Sequence, residues 1–331
     1  MSEARMSPER NLALELVRTT EAAAMAGARL LGRGDKLAAD QAAVDAMRHV
    51  LNGVEMYGTV IIGEGEKDEA PMLYNGEVVG TGEPPHCDIA VDPIDGTTLT
   101  AEGRAGAIAV IAASAAGTMY NPGSAVYMEK IAVGPSGAGI VDIRLPVKRN
   151  ITALAKAKQV EVSDITVVVL DRPRHTELIG EIRDAGARIR LIPDGDVAGA
   201  IACAMPNSGV DILLGIGGTP EGVITAAALK CMGGDLQGRL WPRDDEEREV
   251  LLGEGKDPTQ ILGLDDLIAT ENCFFAATGI TTGDLMRGVT YTPGGITTHS
   301  MVTRGRSGTV RMIEAHHQSA KLKKIAPIGY T

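Results

Sequence analysis

The stretch Asp88-Ile89-Ala90-Val91-Asp92-Pro93-Ile94-Asp95-Gly96-Thr97-Thr98 decides how this chain reads. Ile89 and Val91 build a buried strand, and Asp92 stands at its end, where Pro93 stops the ladder because it has no N–H to give. Pro93 and Gly96 then enforce a turn that folds Asp95 back beside Asp92. Two carboxylates held that close repel each other. A cation between them removes the repulsion, and hard oxygen ligands suit Mg²⁺ or Mn²⁺. An Asp-Pro turn with an Asx-type cap is the plainer alternative. Thr97 and Thr98 follow, able to cap a helix or hold a water.

Further acids lie upstream and downstream of this stretch. Residues 59–62 form a strand that runs into Gly63-Glu64-Gly65-Glu66-Lys67-Asp68-Glu69. Glu64 is the first acid past the strand, between glycines that let a ligand approach the backbone. A solvated acidic loop is the alternative, and it suits Glu66, Asp68 and Glu69 better than Glu64. Earlier still, Ser7-Pro8 is suited to start a helix. The turn Gly32-Arg33-Gly34-Asp35-Lys36 leads into a second helix over residues 37–51, with Val44, Met47 and Leu51 on one face. Asp40 heads that apolar stripe, so its carboxylate points toward protein and needs a partner. Downstream, Leu213-Leu214-Gly215-Ile216-Gly217-Gly218-Thr219-Pro220-Glu221 reads as strand, glycine turn and helix start, whose free N–H groups suit phosphate. The glycines fit neither a Walker loop nor a dinucleotide fingerprint. Glu221 either complements the helix dipole or, beside a phosphate, holds a metal.

The two halves differ in pattern. Residues 1–160 read as helices plus a largely antiparallel sheet, with Asn121-Pro122-Gly123 as its clearest hairpin-like turn. Residues 161–331 alternate: strands at 166–170, 188–192 and 211–214 are separated by helices, the signature of a mostly parallel sheet. Residues 243–257 are a charged, exposed excursion. The expectation is therefore an α/β protein with an N-terminal metal-binding α+β domain and a C-terminal α/β substrate domain. Arg172 and Arg174, with Pro173 fixing the loop between them, follow the strand at 166–170. They sit where α/β sheets place ligands, and paired guanidiniums suit a phosphate; capping the next helix is the alternative. Asp194 and Asp196 end the following strand and suit sugar hydroxyls, although Asp196 also fits an N-cap.

Composition limits the classes. The net charge of −11, the absence of a basic stripe and an aromatic content of only 3% argue against nucleic acid as a partner. No apolar run approaches the ~20 residues of a membrane span, and no signal peptide is visible. Cys87, Cys203, Cys231 and Cys273 form no C-x-x-C pair and read as reduced core residues of a cytoplasmic protein.

Asp92-Pro93-Ile94-Asp95-Gly96-Thr97 resembles the signature of the lithium-sensitive phosphatase superfamily. The resemblance is closer to one branch, the class II fructose-1,6-bisphosphatases of bacteria. That branch is marked by Gly32-Arg33-Gly34-Asp35-Lys36, Ile62-Gly63-Glu64-Gly65-Glu66, Ala70-Pro71-Met72-Leu73-Tyr74, Tyr127-Met128-Glu129-Lys130, Pro193-Asp194-Gly195-Asp196 and Gly215-Ile216-Gly217-Gly218-Thr219-Pro220-Glu221. The resemblance implies a layered α/β/α/β/α sandwich of the sugar phosphatase type. It implies Asp40, Glu64, Asp92, Asp95 and Glu221 as ligands of Mn²⁺ or Mg²⁺. It implies Thr97 as the catalytic threonine and Lys36 as the lysine near the metals. Substrate contacts fall on Asp95, Gly96, Thr97, Tyr127, Arg172, Pro173, Arg174, Asp194, Gly195, Asp196 and Gly218.

The activity implied is hydrolysis of the 1-phosphate of fructose 1,6-bisphosphate by metal-activated water, a step of gluconeogenesis, in a homo-oligomer (dimer or tetramer). Glu64 is the expected acid relaying a proton from Thr97, which is too weak a base alone. Competing readings are a sedoheptulose-1,7-bisphosphatase, an inositol-phosphate phosphatase and an inactive metal-binding scaffold. A nucleotide-dependent transferase is disfavoured by the glycine spacings.

Overall fold

Two sheets divide the strands, and side-chain alternation decides which layer each residue joins. The computed structural model describes residues 11–65 and 72–325. The expected helix start at Ser7-Pro8, and Glu66, Asp68, Glu69, Ala70 and Pro71, lie outside the described residues. In chain order, α1 (Ala13–Ala28) and α2 (Lys36–Leu51) precede β1 (Tyr57–Ile62), β2 (Val78–Val79), β3 (His86–Asp95), α3 (Thr97–Glu102), β4 (Ile108–Ala115) and β5 (Tyr127–Val133). Next come α4 (Val147–Lys158), β6 (Thr166–Leu170), α5 (Thr176–Ala185), β7 (Arg188–Ile192), α6 (Asp196–Ala202), β8 (Ile212–Gly218), α7 (Thr219–Met232) and β9 (Asp235–Leu240). The chain continues through α8 (Asp245–Gly253), α9 (Leu264–Leu267), β10 (Cys273–Gly279), β11 (Thr290–Thr292), β12 (Gly295–Arg304), β13 (Thr309–His317) and α10 (Ser319–Ile325).

The first sheet has the order β11-β12-β10-β4-β3-β1-β2, with β13 also paired to β12; the second has the order β7-β6-β8-β5-β9. Leu16, Ala43, Met47, Ile89, Val91 and Ile111 pack one face of the first sheet against α1 and α2. Ala90, Val110, Met128, Val168, Val197 and Val223 fill the layer between the sheets, where α6 and α7 lie. Ile131, Ile151, Val167, Ile182 and Ile212 seat α4 and α5 on the outer face of the second sheet. This is the five-layer α/β/α/β/α sandwich, and each fully buried aliphatic side chain contributes about 1.5–3 kcal/mol to it. Asp35 starts α2 cleanly, its carboxylate accepting a bond of 2.9 Å from the Ala38 N–H.

Several local expectations give way. Pro93 does not end β3: the strand continues to Asp95 with an irregularity in its pairing, Asp92 lying opposite Val110 and Asp95 opposite Ile108. A proline is tolerated there because an unpaired residue needs no ladder donor. The irregularity flips the pleat, since Ala90 faces the layer between the sheets whereas Ile94, also even-numbered, faces α1 and α2. The glycines of Gly215-Ile216-Gly217-Gly218 form no turn either; they complete β8, antiparallel to β5. The second sheet is mixed, not mostly parallel, because β5 enters it antiparallel to both β8 and β9 while β6 runs parallel to β7 and β8. Asn121-Pro122-Gly123 is a turn but not a hairpin, since it lies between β4 of one sheet and β5 of the other. The first sheet draws β10 to β13 from beyond residue 160, and the second draws β5 from before it. The stretch 243–257 holds a helix, α8, capped by Asp244, whose carboxylate accepts from the Glu247 N–H.

Candidate active site

The ends of β1, β3, β6 and β8 and the starts of α2, α3, α6 and α7 surround one polar cavity of about 510 Å³. Asp40, Glu64, Asp92, Asp95, Gly96 and Thr97 line it from the first sheet and its helices; Tyr127, Arg172, Arg174, Asp194, Gly195, Asp196, Gly218 and Glu221 line it from the second. Residues 181 positions apart thus meet because both sheets present the same end to this space. Lys36 and Pro173 do not reach the lining. Lys36 is exposed at the rim, donating to Thr98 Oγ1 at 2.9 Å. Pro173 opens an exposed 3₁₀ turn whose carbonyl accepts from the Thr176 hydroxyl.

The acids of β3 show why the cavity is unusual. Asp88, Asp92 and Asp95 all face the layer between the sheets. Asp88 is satisfied, its Oδ2 accepting the N–H groups of Thr118 and Met119 at 2.8 and 3.0 Å. Asp92 caps the irregularity by accepting the Ile94 N–H at 3.0 Å. Asp95 is 3% exposed, and its Oδ2 has no hydrogen-bond partner among the described residues. Burial holds the carboxyl groups of both Asp92 and Asp95 well above the usual range, and neighbouring carboxylates push them further: Asp95, Glu64, Glu221 and Asp40 on Asp92, and Asp196, Glu221 and Asp194 on Asp95. Glu64 is pushed up to about 8 by burial and then by the charges of Asp40 and Glu221. Burial also raises Asp40, against a hydrogen bond with Thr97. Glu221 is raised by burial and by Asp196, with Lys130 opposing.

This donor set fits a hard divalent cation. Five oxygen-bearing acids line one space, one buried carboxylate oxygen is orphaned, and every shift disfavours the bare charges. Among the described residues no group of three or more His, Cys, Asp or Glu side chains is already arranged around a common metal position.

On the other side of the cavity the two arginines, Asp194 and Asp196 each have a partner. Arg172 donates to the carbonyls of Asp171 and Pro193 and to Asp194 Oδ1, the last at 3.1 Å. Asp194 in turn accepts the Thr98 N–H at 3.3 Å, tying the start of α3 to the arginine loop. Arg174 donates to the Ile216 carbonyl at 3.2 and 2.8 Å and lies over the Tyr127 ring, 5.0 Å from its centre. Trp241 also meets Tyr127 in an edge-to-face contact, with ring centres 6.1 Å apart. The N-cap alternative for Asp196 fails: Gly195 holds that position, and Asp196 sits in the first turn of α6, ion-paired to Lys130 at 2.5 Å.

The start of α7 is not an open anion cradle. The Thr219 N–H is given to the Val126 carbonyl at 2.9 Å, Pro220 has none, and the Glu221 N–H is bonded by its own carboxylate. Thr97 Oγ1 donates to the Ile94 carbonyl at 3.2 Å, and the Asp40 carboxylate also lies within its reach.

Sequence reasoning passed over Lys130 and His175. Lys130 had a signal: it is the one basic residue in Tyr127–Val133, on the strand face it shares with the apolar Met128 and Ala132. His175 is buried, with Nδ1 on the Leu170 carbonyl at 2.7 Å and Nε2 accepting the Ile216 N–H at 2.8 Å. Burial lowers its pKa, which keeps the ring neutral and able to accept. Nothing local in the sequence announces that bond, because Ile216 lies 41 residues away.

Comparison with known proteins adds an independent observation. A family model described as bacterial fructose-1,6-bisphosphatase, glpX-encoded, matches residues 10–317. A fructose-1,6-bisphosphatase class 2 of Haemophilus influenzae is 46% identical over 332 residues, covering 96% of this chain and 99% of that protein. Fructose-1,6-bisphosphatase 1 class 2 of Escherichia coli K12 is 47% identical over 321 residues, covering 93% of this chain and 95% of that protein.

Proposed function

The chain belongs to the bacterial, glpX-encoded fructose-1,6-bisphosphatase family, and from that membership we propose that it hydrolyses the 1-phosphate of fructose 1,6-bisphosphate, giving fructose 6-phosphate and phosphate, a reaction of gluconeogenesis. One observation carries the reading: a single cavity sets unneutralised carboxylates on one side and two guanidinium groups on the other. A substrate with two phosphates needs both.

Asp40, Glu64, Asp92, Asp95 and Glu221 would hold divalent cations, Mn²⁺ or Mg²⁺, whose charge when bound polarises the phosphoryl oxygens and makes water more acidic. Thr97 orients the attacking water, whose proton passes on to a neighbouring carboxylate, Glu64 or the Asp40 that lies within reach of the Thr97 hydroxyl. Lys36, at the rim beside Thr98, offsets charge as the phosphoryl group transfers. Arg174, pinned by the Ile216 carbonyl and stacked on Tyr127, receives the distal phosphate together with Arg172. Asp194, Asp196 and the backbone at Gly96, Gly195 and Gly218 present acceptors and space to the sugar.

The same motifs support placing the chain in the lithium-sensitive phosphatase superfamily. Four free, buried cysteines support a reducing, cytoplasmic location, and among the described residues no helix is long and apolar enough to cross a membrane. A homo-oligomer is supported by β13, which among the described residues pairs only with β12 and exposes Val310 and Met312.

The test is phosphate release by purified protein from fructose 1,6-bisphosphate, sedoheptulose 1,7-bisphosphate, inositol phosphate and fructose 1-phosphate, each with Mn²⁺ and with Mg²⁺. Preference for the fructose bisphosphate is expected. Turnover confined to a monophosphate would overturn the reading, and no turnover on any of them would favour the scaffold.

A further inference from the structure

Lys130 lies on the face of β5 that looks into the layer between the sheets, beside Met128 and Ala132. Its side chain is buried, as is that of Asp196. An ammonium taken out of water costs several kcal/mol unless it is paired and hydrogen-bonded. Lys130 Nζ meets both conditions: it lies 2.5 Å from Asp196 Oδ2 and donates to the Gly218 carbonyl at 3.0 Å.

The neighbouring sequence is cut to fit this pair. A Cβ on Gly217 would fall on Asp196 Oδ2 and stand 2.9 Å from Lys130 Nζ, and one on Gly222 would stand 3.3 Å from Lys130 Cδ. Two glycines on successive elements, β8 and α7, therefore leave room for one lysine and its carboxylate. Asp196 opens α6 and lines the cavity, whereas Lys130 does not. Gly218 directly precedes α7, whose first turn carries Glu221.

We propose that Lys130 is a positioning residue for the sugar side of this site. It holds one oxygen of Asp196 toward the floor and leaves the other as an acceptor for a substrate hydroxyl, while fixing the Gly218 carbonyl where α7 begins. An ion-paired carboxylate accepts hydrogen bonds and donates none, so the arrangement selects a polyol over an alkyl phosphate. The inference rests on the fructose bisphosphate reading above.

A double-mutant cycle tests it, with kcat and KM for fructose 1,6-bisphosphate and calorimetric affinity for fructose 6-phosphate as readouts. Lys130→Met and Asp196→Asn should each raise KM by ~10-fold or more and change kcat less, because the lost contact orients bound sugar. The double variant should be no worse than the weaker single by more than ~2-fold, since one residue acts through the other. A KM for Lys130→Met within ~2-fold of wild type, or single effects that multiply in the double variant, overturns the inference.

Lys130→Met alone leaves a buried carboxylate unpaired and can fail to fold. The double variant buries no unpaired charge. Its comparison with Asp196→Asn then decides: equal KM and affinity support the proposal, and a further ~10-fold loss overturns it. Wild-type turnover in the same assay separates the two ways of failing. A wild type that leaves the bisphosphate intact overturns the substrate reading and this inference with it; active wild type with uncoupled variants overturns this inference alone.

Discussion

The two walls of the cavity are built on opposite electrostatic plans. On the first sheet's side Asp40, Glu64, Asp92 and Asp95 crowd together, and burial and mutual repulsion raise all four. On the second sheet's side Arg172 is bonded to Asp194, Arg174 to Ile216 and Lys130 to Asp196 before any ligand arrives. One wall stores a charge imbalance that protons or a bound cation relieve. The other is preorganised and has little left to rearrange. On the proposed function, chemistry falls mainly to the first wall and recognition to the second, and the two should respond differently to substitution.

The largest effects should come from the unbalanced wall. Asp92→Asn and Thr97→Ala should each lower kcat by ~10²–10⁴-fold, the range for losing a group that acts in the transition state. Thr97→Ala should leave folding and cation affinity nearly unchanged, and wild-type rates in that variant would remove Thr97 from the reaction. Asp92→Asn makes a stranger prediction. Removing a repelling carboxylate should raise the melting temperature of the chelated protein while weakening its response to added Mn²⁺, read by calorimetry.

Arg174→Ala should raise KM for the bisphosphate by ~10–100-fold, the worth of a charge-assisted hydrogen bond, and raise that for fructose 1-phosphate far less. Equal changes would mean that the paired wall does not distinguish a second phosphate. His175→Phe keeps the ring but loses the bond to the Ile216 N–H, and should raise KM by only a few fold through looser placement of the Ile216 carbonyl under Arg174.

The smallest effect is a dependence on pH. Glu64 titrates near 8 in the folded protein against an ordinary value of 4.5, so between those values the folded form binds more protons than the unfolded. Glu64's contribution to the stability of the chelated protein should therefore be complete below about pH 4.5 and be lost as pH rises toward 8. The rise in melting temperature on adding Mn²⁺ or Mg²⁺ should grow across the same window. A cation effect that shrinks with pH would mean that Glu64 is not among the groups being neutralised.

Much of this was readable in the sequence, because local rules act locally. Thr166–Leu170 and Arg188–Ile192 are β-branched or apolar runs bounded by turns, and the strands have those limits. The helix that ends at Leu51 follows from its apolar stripe. The acids and arginines of the cavity were singled out from the strand ends they follow. What stayed hidden depends on partners distant in sequence. The glycines of β8 look like a turn until Asp196, Lys130 and His175 are seen occupying the space their side chains would need. Which sheet β5 joins, and that β10 returns to lie beside β4, are matters of pairing across more than 80 residues. That Asp40, on a separate helix, lies within reach of Thr97 is something no spacing encodes.

The irregular pairing of β3 has a consequence for its proline. In an even pleat residues three apart look opposite ways, so a straight strand with these same two aspartates would send Asp92 to the cavity and drive Asp95 into the greasy layer beneath α1 and α2. The unpaired step sets the four residues from Asp92 to Asp95 against the three from Ile108 to Val110 and turns both acids the same way. Pro93→Val, by inviting the strand to straighten, would thus be felt less as a lost proline than as an acid gone missing two positions downstream.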